Sequence, residues 1–124
     1  MMKFMLITKA TKDSEAGRPP DPRLMAAIGK LAEEMAIAGV LVDAAGLAPT
    51  SQGTRLRFSG GRLTQSEGPF ANPNELMGGY AIVQVTSKGE AIEWSRRFLN
   101  AHADVLGPSY SGESEIRELF GPEA

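Results

Sequence analysis

The sequence predicts an α+β fold, namely a ferredoxin-like antiparallel sheet with two helices on one face and an added β-hairpin. Two segments have apolar residues at helical spacing behind a residue that can cap a helix. Short apolar or alternating segments around them are bounded by glycine and proline, which is typical of strands. The order strand, helix, strand, hairpin, strand, helix, strand indicates two βαβ-like halves that share one antiparallel sheet.

The first part of the chain is predicted to form a strand and a helix. Residues 3–8 are short and apolar and precede a polar loop over residues 11–20. Asp21 can cap the following helix, Pro22 suits its first position because it lacks an amide hydrogen, and Gly39 can end it with a positive φ. The apolar side of this helix consists of Leu24, Met25, Ile28, Leu31, Ala32 and Met35.

The middle of the chain is predicted to contain a strand and a hairpin. Residues 40–44 have the composition of a strand, and residues 46–53 have the glycine, proline and serine of a connection. In residues 55–58 arginine alternates with an apolar residue, residues 59–61 can make a tight turn, and residues 62–65 return. We expect this hairpin to have one exposed face.

The last part of the chain is predicted to contain a strand, a helix and a final edge strand. Residues 79–85 are apolar enough to be buried on both faces of the sheet. Ser87 and Glu90 have the spacing of a capping box, which begins a helix that ends at Gly107, and residues 115–120 form the last strand. The second helix is expected to present Ala91, Ser95, Phe98 and His102 on one face, and Phe58, Trp94 and Phe98 are expected to be packing residues.

The length and composition fit one domain over residues 1–124, with a flexible tail from about residue 121. With 13 basic against 15 acidic side chains, the chain lacks the concentrated positive charge that binds nucleic acid. The absence of cysteine excludes disulfides and thiol nucleophiles. No apolar run approaches the roughly 20 residues that cross a membrane. We therefore expect a cytoplasmic protein.

A sheet with helices on one face leaves its other face without cover. Because residues 79–85 are apolar on both faces, we expect a second copy of the chain to cover that face. The sequence therefore predicts a homodimer.

Several motifs, taken together, resemble one protein family. They lie in matching order along nearly the whole chain, at residues 3–7, 55–61, 68–71 (Gly-Pro-Phe-Ala), 75–80 (Glu-Leu-Met-Gly-Gly-Tyr), 91–97 and 115–117. The chain resembles the YCII-related family, specifically its DGPF branch. The resemblance implies a ferredoxin-like fold that pairs as a dimeric α+β barrel, with a cleft near the Gly-Pro-Phe loop. It also implies a link of some members to extracytoplasmic-function sigma factors, and a suggested histidine and aspartate chemistry in the wider group.

Two departures from the family pattern bear on that chemistry. Glu67 stands where the branch usually has aspartate, and residues 72–74 are Asn-Pro-Asn where it usually has Glu-Thr-Lys. The first helix has no histidine, and the single histidine, His102, lies near the end of the second helix, where a structural role is favoured over a proton shuttle. The sequence therefore argues against a histidine and aspartate mechanism.

Three carboxylates are the candidate catalytic groups, Glu34, Glu67 and Glu75. If they met in one cleft, desolvation and mutual repulsion would raise one pKa and suit that group to general acid or base chemistry. The alternative is that each is a surface carboxylate beside a base, as Lys30 stands at helical spacing from Glu34. Oxygen ligands without histidine argue against zinc, and neither a metal nor another cofactor is predicted.

The candidate ligand-binding residues are Gly68, Pro69, Phe70 and Arg57. In the loop, glycine permits an unusual backbone, proline fixes φ and phenylalanine anchors the chain, which would hold the Glu67 carboxylate in place. The alternative is an ordinary turn with a solvated carboxylate. Arg57, with Arg55 and Arg62, could recognise an anion from one side of the hairpin, or the three could form a solvated edge.

Two functions remain open from the sequence. The first is a small-molecule-binding or enzyme-like homodimer with a carboxylate-lined cleft. The second is a regulatory interaction module that binds a sigma factor through an exposed edge or apolar patch. A fully exposed Glu67 with no cavity beside it would argue against the first function, in which the cleft uses Glu67 with Glu34 or Glu75 for proton transfer.

Overall fold

The computed structural model describes residues 1–72 and 75–121. The strands are β1 (Met2–Lys9), β2 (Leu41–Gly46), β3 (Thr54–Ser59), β4 (Arg62–Glu67), β5 (Met77–Val85) and β6 (Ser114–Glu118). The helices are α1 (Lys12–Glu15), α2 (Pro22–Ile37) and α3 (Lys88–Leu106), with a 3₁₀ turn over Thr50–Gln52. The tail predicted from about residue 121 falls mainly on residues 122–124, which lie outside the described residues. Among those described, no helix has the length and apolar composition to cross a bilayer.

The main sheet has four antiparallel strands in the order β2-β5-β1-β6. In β1, Ile7 pairs with Tyr80 of β5 on one side and with Glu115 of β6 on the other. This is the strand order of a ferredoxin-like fold, and β3 and β4 form a separate two-stranded sheet. The predicted α+β fold with an added hairpin is therefore confirmed.

Helix α2 begins and ends where the local sequence predicts. The Asp21 carboxylate accepts a hydrogen bond from the amide of Arg23 at 2.8 Å, and Gly39 follows the helix with a φ of +74°. The side chains that the helix buries are Leu24, Leu31 and Met35. Met25 was predicted to lie on this side but is exposed, because it lies about 100° around the helix from Leu24.

The polar stretch over residues 11–20 begins with the one-turn helix α1, where only a loop was predicted. The Thr11 hydroxyl accepts from the Ser14 amide at 3.1 Å, and the Ser14 hydroxyl accepts from the Thr11 amide at 2.8 Å. These bonds satisfy amides that have no partner at the start of a helix. Periodicity did not predict α1, because one turn is too short to repeat an apolar position.

Helix α3 begins at a cap that differs in one detail from the predicted one. The Ser87 hydroxyl accepts from the Glu90 amide at 3.2 Å, as expected. The Glu90 carboxylate reaches past Ser87 to the amide and hydroxyl of Thr86, at 2.9 and 2.8 Å, and these bonds lower its pKa. Glu90 therefore connects α3 to the residue that follows β5.

The core lies between the main sheet and the two long helices. Its buried residues are Phe4, Leu6, Leu31, Met35, Val40, Val83, Val85 and Ala91, and Trp94 and Phe98 pack against them as predicted. Because alternate residues of a strand point to opposite faces, the buried residues of β1 and β5 all lie on the helix side of the sheet.

The side of the main sheet away from the helices is called here the open face. It consists of Lys3, Met5, Ile7, Asp43, Ala45, Tyr80, Ile82, Gln84, Glu115 and Arg117. At its centre Met5, Ile7 and Ile82 are partly exposed. Strand β5 is thus apolar on both faces, as predicted, but within one chain it is buried on one face only.

The hairpin of β3 and β4 stands apart from the core. Gly60 and Gly61 make its turn with φ values of +58° and +76°, as the sequence predicts. Every residue of both strands is exposed, although only one face was expected to be. Phe58, predicted to be a packing residue, is 73% exposed. Alternation shows that the two faces of a ribbon differ, but it does not show that either face has a partner within the chain.

Candidate functional site

The Gly-Pro-Phe loop, residues 68–70, follows β4 and is held against the segment that leads into β3. The Gly68 amide donates to the carbonyl of Gly53 at 2.9 Å. The Phe70 amide donates to the hydroxyl of Thr50 at 3.0 Å. The loop is therefore fixed at both ends to the base of the hairpin.

Glu15 holds Thr50 in place, and the sequence did not point to this residue. Its carboxylate accepts one hydrogen bond from the Thr50 amide at 3.1 Å and one from the hydroxyl at 2.6 Å. Since the same hydroxyl oxygen accepts from Phe70, one network joins α1, the 3₁₀ turn and the loop. The usable signal was Thr11 with Ser14, whose spacing suits the start of the helix that contains Glu15.

Gly68 lies so close to the Thr50 backbone that only glycine fits at this position. A Cβ atom at position 68 would lie 1.6 Å from the Thr50 carbonyl oxygen. The peptide bond between Gly68 and Pro69 is cis. The glycine in the predicted ligand-binding loop is thus required by packing.

Phe70 is partly buried beneath Arg55. The guanidinium carbon of Arg55 lies 3.9 Å from the centroid of the Phe70 ring. A cation over an aromatic face is attracted by the quadrupole of the ring. This contact connects the loop to β3. Phe70 thus contacts the hairpin and is not among the residues of the core cluster.

Arg57 lies on one face of the hairpin with Arg55 and Arg62. The register pairs Arg57 with Thr64, while Arg55 is opposite Ser66 and Arg62 is opposite Ser59. Paired residues point to the same side of a ribbon, and every second residue along a strand does so too. The register therefore gives the hairpin an exposed basic face.

Glu67 is exposed at the end of β4. It accepts hydrogen bonds from the Thr54 hydroxyl at 2.7 Å and from the Gln65 amide group at 3.0 Å. These bonds, chiefly the one from Thr54, lower the pKa of Glu67 below its ordinary value of 4.5, because they stabilise the charged form. A general acid at neutral pH needs a raised pKa, so this geometry does not suit Glu67 to that role.

The other two candidate carboxylates have different surroundings. Glu34 on α2 forms an ion pair with Arg97 on α3, beside a shallow groove of about 200 Å³ between the helices. Glu75 is exposed, and its amide donates to the Asn72 carbonyl at 2.9 Å. In residues 1–72 and 75–121, no three acidic or histidine side chains lie together as a metal site requires. The structure thus does not bring Glu34, Glu67 and Glu75 together.

Two polar pairs flank the apolar centre of the open face. The Lys9 side chain, only 19% exposed, forms an ion pair with Glu115 at 3.3 Å. Hydrogen bonds from Arg117 and then Lys9 lower the pKa of Glu115. On the other side, the Tyr80 hydroxyl donates to the Asp43 carboxylate at 3.3 Å. Tyr80 and Glu115 lie in motifs that carry the family resemblance, but the sequence did not single out these four residues as site residues. They come from four strands that meet only through the strand order.

His102 packs between aromatic rings at the end of α3. Its Nδ1 donates to the Phe98 carbonyl at 2.9 Å. The His102 ring centroid lies 4.6 Å from that of Phe98 and 5.3 Å from that of Tyr110, on which it stacks. This arrangement fits the structural role favoured from the sequence.

Comparisons with known proteins identify the family. The family model of the YCII-related domain matches residues 2–107, which include the Gly-Pro-Phe loop, the hairpin and both long helices. The chain belongs to the YCII-related domain family. A relative from Rhizobium meliloti (strain 1021), named only as an uncharacterized protein, is 32% identical over 99 residues. These residues are 80% of this YCII-related chain and 75% of the relative.

The YCII-related match confirms the family that the motifs predicted. Strand β6 lies beyond the matched residues, so Glu115 belongs to a part of this YCII-related chain that the family model does not reach. The sequence departs from the family pattern at residues 72–74. Of these residues Asn72 has a φ of +63°, and Pro73 and Asn74 lie outside the described residues.

Proposed function

We propose that the protein is a small-molecule-binding homodimer in which a second copy covers the open face and encloses a cleft over it. The observation that supports this most is the pattern of that face, where Met5, Ile7 and Ile82 form an apolar centre between two polar pairs. An apolar floor with a few fixed polar groups is typical of small-molecule sites.

A second copy suits this face for a physical reason. Partly exposed apolar residues at the centre of a sheet gain from being removed from water, by about 25 cal/mol for each Å² of apolar surface. A two-fold axis would bring the same patch of each copy together, so that one contact covers both faces. Such a pairing is also what the family resemblance implies.

Under this proposal the polar groups of the cleft are Lys9, Glu115, Asp43 and Tyr80. Lys9 supplies a cation, and Tyr80 supplies a hydroxyl that is oriented by Asp43. A ligand with both hydrogen-bond donors and acceptors would fit this set. Glu67 belongs in this scheme to the wall near the hairpin, as a fixed anion rather than as an acid.

We also assign the chain to the DGPF branch. The support is the Gly-Pro-Phe loop and the pair Gly78 and Gly79, which lie near the start of β5. A Cβ atom on Gly79 would lie 2.9 Å from the carbonyl oxygen of Ala45, so the strands β2 and β5 can approach there only at a glycine. A link to a sigma factor finds no support in the family match or the Rhizobium relative, and it stays a prediction from the resemblance.

Light scattering with size-exclusion chromatography tests the dimer. The protein should have twice the mass of one chain, and Ile82→Glu should reduce it to that of one chain because the carboxylate would enter the apolar interface. Met25→Glu, at an exposed position on α2, should remain dimeric. A protein that is a monomer at all concentrations would exclude the proposal.

Isoleucine methyl NMR tests the ligand cleft. Compounds that raise the melting temperature should shift the methyl signals of Ile7 and Ile82 and leave Ile37, exposed on α2, unchanged. If every such compound shifted Ile37 alone, the open face would not be the binding site.

A further inference from the structure

The hairpin presents two chemically distinct faces to solvent. On one face Phe58 pairs across the strands with Leu63, and Leu56 lies beside them. Leu56 is 62% and Leu63 is 65% exposed. The opposite face has the three arginines. The apolar face, which in most hairpins packs against other residues, is thus exposed to solvent like the basic face.

Such a ribbon lacks the support that a two-stranded sheet requires. A single hairpin in water is at best marginally stable without a third strand or a packing surface. The apolar residues of this hairpin expose roughly 400 Å², which reaches the size of the largest apolar patches on ordinary monomers. The apolar face therefore requires a partner surface.

The base of the hairpin is held too firmly for the ribbon to be a loose loop. The Gly68 amide is bonded to Gly53, and Arg55 is stacked on Phe70. Thr54 is bonded to Glu67 across the first pair of the ladder. The arm is consequently presented in a defined direction, which favours a specific contact.

A second copy of the chain is the partner that fits these surfaces. Each copy has one uncovered apolar arm and one uncovered apolar sheet face, and a two-fold axis would satisfy both in the same contact. Two arms of roughly 400 Å² and the surfaces that they cover would together bury about 1,600 Å², which is the size of a stable interface.

We infer that the hairpin of each copy reaches across to the other copy and contributes Leu56, Phe58 and Leu63 to the wall of its cleft. This inference rests on the proposed homodimer. It adds that the cleft is composite, because one copy supplies the floor and the other supplies an apolar wall. The basic face, with Arg57 and Arg62, then stays outward in solvent.

Cysteine cross-linking tests where the arm lies, since the chain has no cysteine of its own. One tagged copy has Phe58→Cys and a second, differently tagged copy has Ala45→Cys, an exposed open-face position. After the copies are mixed and exchanged, a short bismaleimide should join the two tags. Arg57→Cys, on the other face of the same strand, should give little of this product.

The outcomes separate the inference from the proposed homodimer. A dimer that yields no more product from Phe58→Cys than from Arg57→Cys would overturn the inference and leave the homodimer intact. A protein that is monomeric by light scattering would overturn both. A dimer whose arm binds only an added protein would also overturn the inference.

Dimer affinity gives a second test. The double variant Leu56→Ser with Phe58→Ser should raise the dissociation constant of the dimer by about tenfold or more, because it removes apolar side chains from the interface. Arg57→Ser with Arg62→Ser should change it by less than about twofold, as expected for residues outside the contact. Equal effects of the two double variants would contradict the inference. All four positions are exposed, so circular dichroism should show the same fold in each variant.

Discussion

The Glu15 carboxylate binds Thr50 twice, accepting from its amide at 3.1 Å and from its hydroxyl at 2.6 Å. The Thr50 hydroxyl in turn accepts from the Phe70 amide at 3.0 Å. The Gly-Pro-Phe loop, which marks the family in the sequence, is therefore held in place by a carboxylate that no motif contains.

Glu15→Ala should destabilise the protein by about 1–3 kcal/mol, because it leaves two partly buried donors of Thr50 without an acceptor. Urea unfolding followed by circular dichroism measures this difference. Glu33→Ala, at an exposed position on α2, is the control and should change stability by less than about 0.5 kcal/mol. Equal stabilities of the two variants would show that the contact between Glu15 and Thr50 adds nothing to the free energy of unfolding.

The helix ends could be predicted from the sequence, because the signals for them are local. Asp21 caps α2 from two residues away, and Gly39 ends it through its own φ. The contact of Glu15 with Thr50 spans 35 residues and depends on where the sheet places α1. The spacing of residues along the sequence does not predict such a contact, so only the structure identifies Glu15 as the residue that supports the loop.

Gly68→Ala should be among the most damaging single substitutions in the chain. The added methyl would lie 1.6 Å from the Thr50 carbonyl oxygen, and because that atom belongs to the backbone, the loop must move. We expect a loss of about 3 kcal/mol, as in overpacked cores. Differential scanning calorimetry should show a clear fall in melting temperature.

The matched control is Gly29→Ala on α2, where an added Cβ atom meets nothing within 4 Å. Alanine is favoured over glycine in a helix by up to about 1 kcal/mol, so this variant should melt at the same or a higher temperature. A Gly68→Ala protein as stable as Gly29→Ala would mean that the loop is not packed as described.

The candidate catalytic carboxylates show the limit of reasoning from residue type. Glu34 was a candidate for a shared cleft, and its partner, Arg97 of α3, binds it beside the shallow groove between the helices. Glu67 is exposed at the end of β4, next to the Gly-Pro-Phe loop. The pKa of Glu67 is lowered chiefly by Thr54, which is 13 residues away and meets it only because the hairpin register is fixed.

The pKa of Glu67 provides a direct test of that register. It is lowered chiefly by the Thr54 hydroxyl, so Thr54→Val should raise it towards 4.5. Carbon-detected NMR titration of the side-chain carboxyl measures the change. Thr64→Val removes a hydroxyl on the other face of the hairpin and should leave the pKa of Glu67 unchanged.

The direction of the pH effect on stability follows from the same shift. Since the pKa of Glu67 is lower in the folded protein, its hydrogen bonds stabilise the fold above about pH 4.5 and cease to do so as the pH falls through the lowered value. The wild-type protein should therefore lose more stability on acidification than Thr54→Val does. An identical acid profile for both proteins would contradict the assigned contact.

Tyr110 should titrate late in alkali, because its burial beside His102 raises the pKa of its hydroxyl above the ordinary value of 10.0. The chain has two tyrosines, so absorbance at alkaline pH should resolve a late component that Tyr110→Phe removes.

A raised pKa means that the folded state holds the proton of the Tyr110 hydroxyl more tightly than the unfolded state. The contribution of Tyr110 to stability is therefore complete below about pH 10 and falls as the pH rises through its folded pKa. Tyr110→Phe should accordingly lose less stability between pH 9 and pH 11 than the wild type. If the late absorbance component remained in Tyr110→Phe, it would not belong to Tyr110.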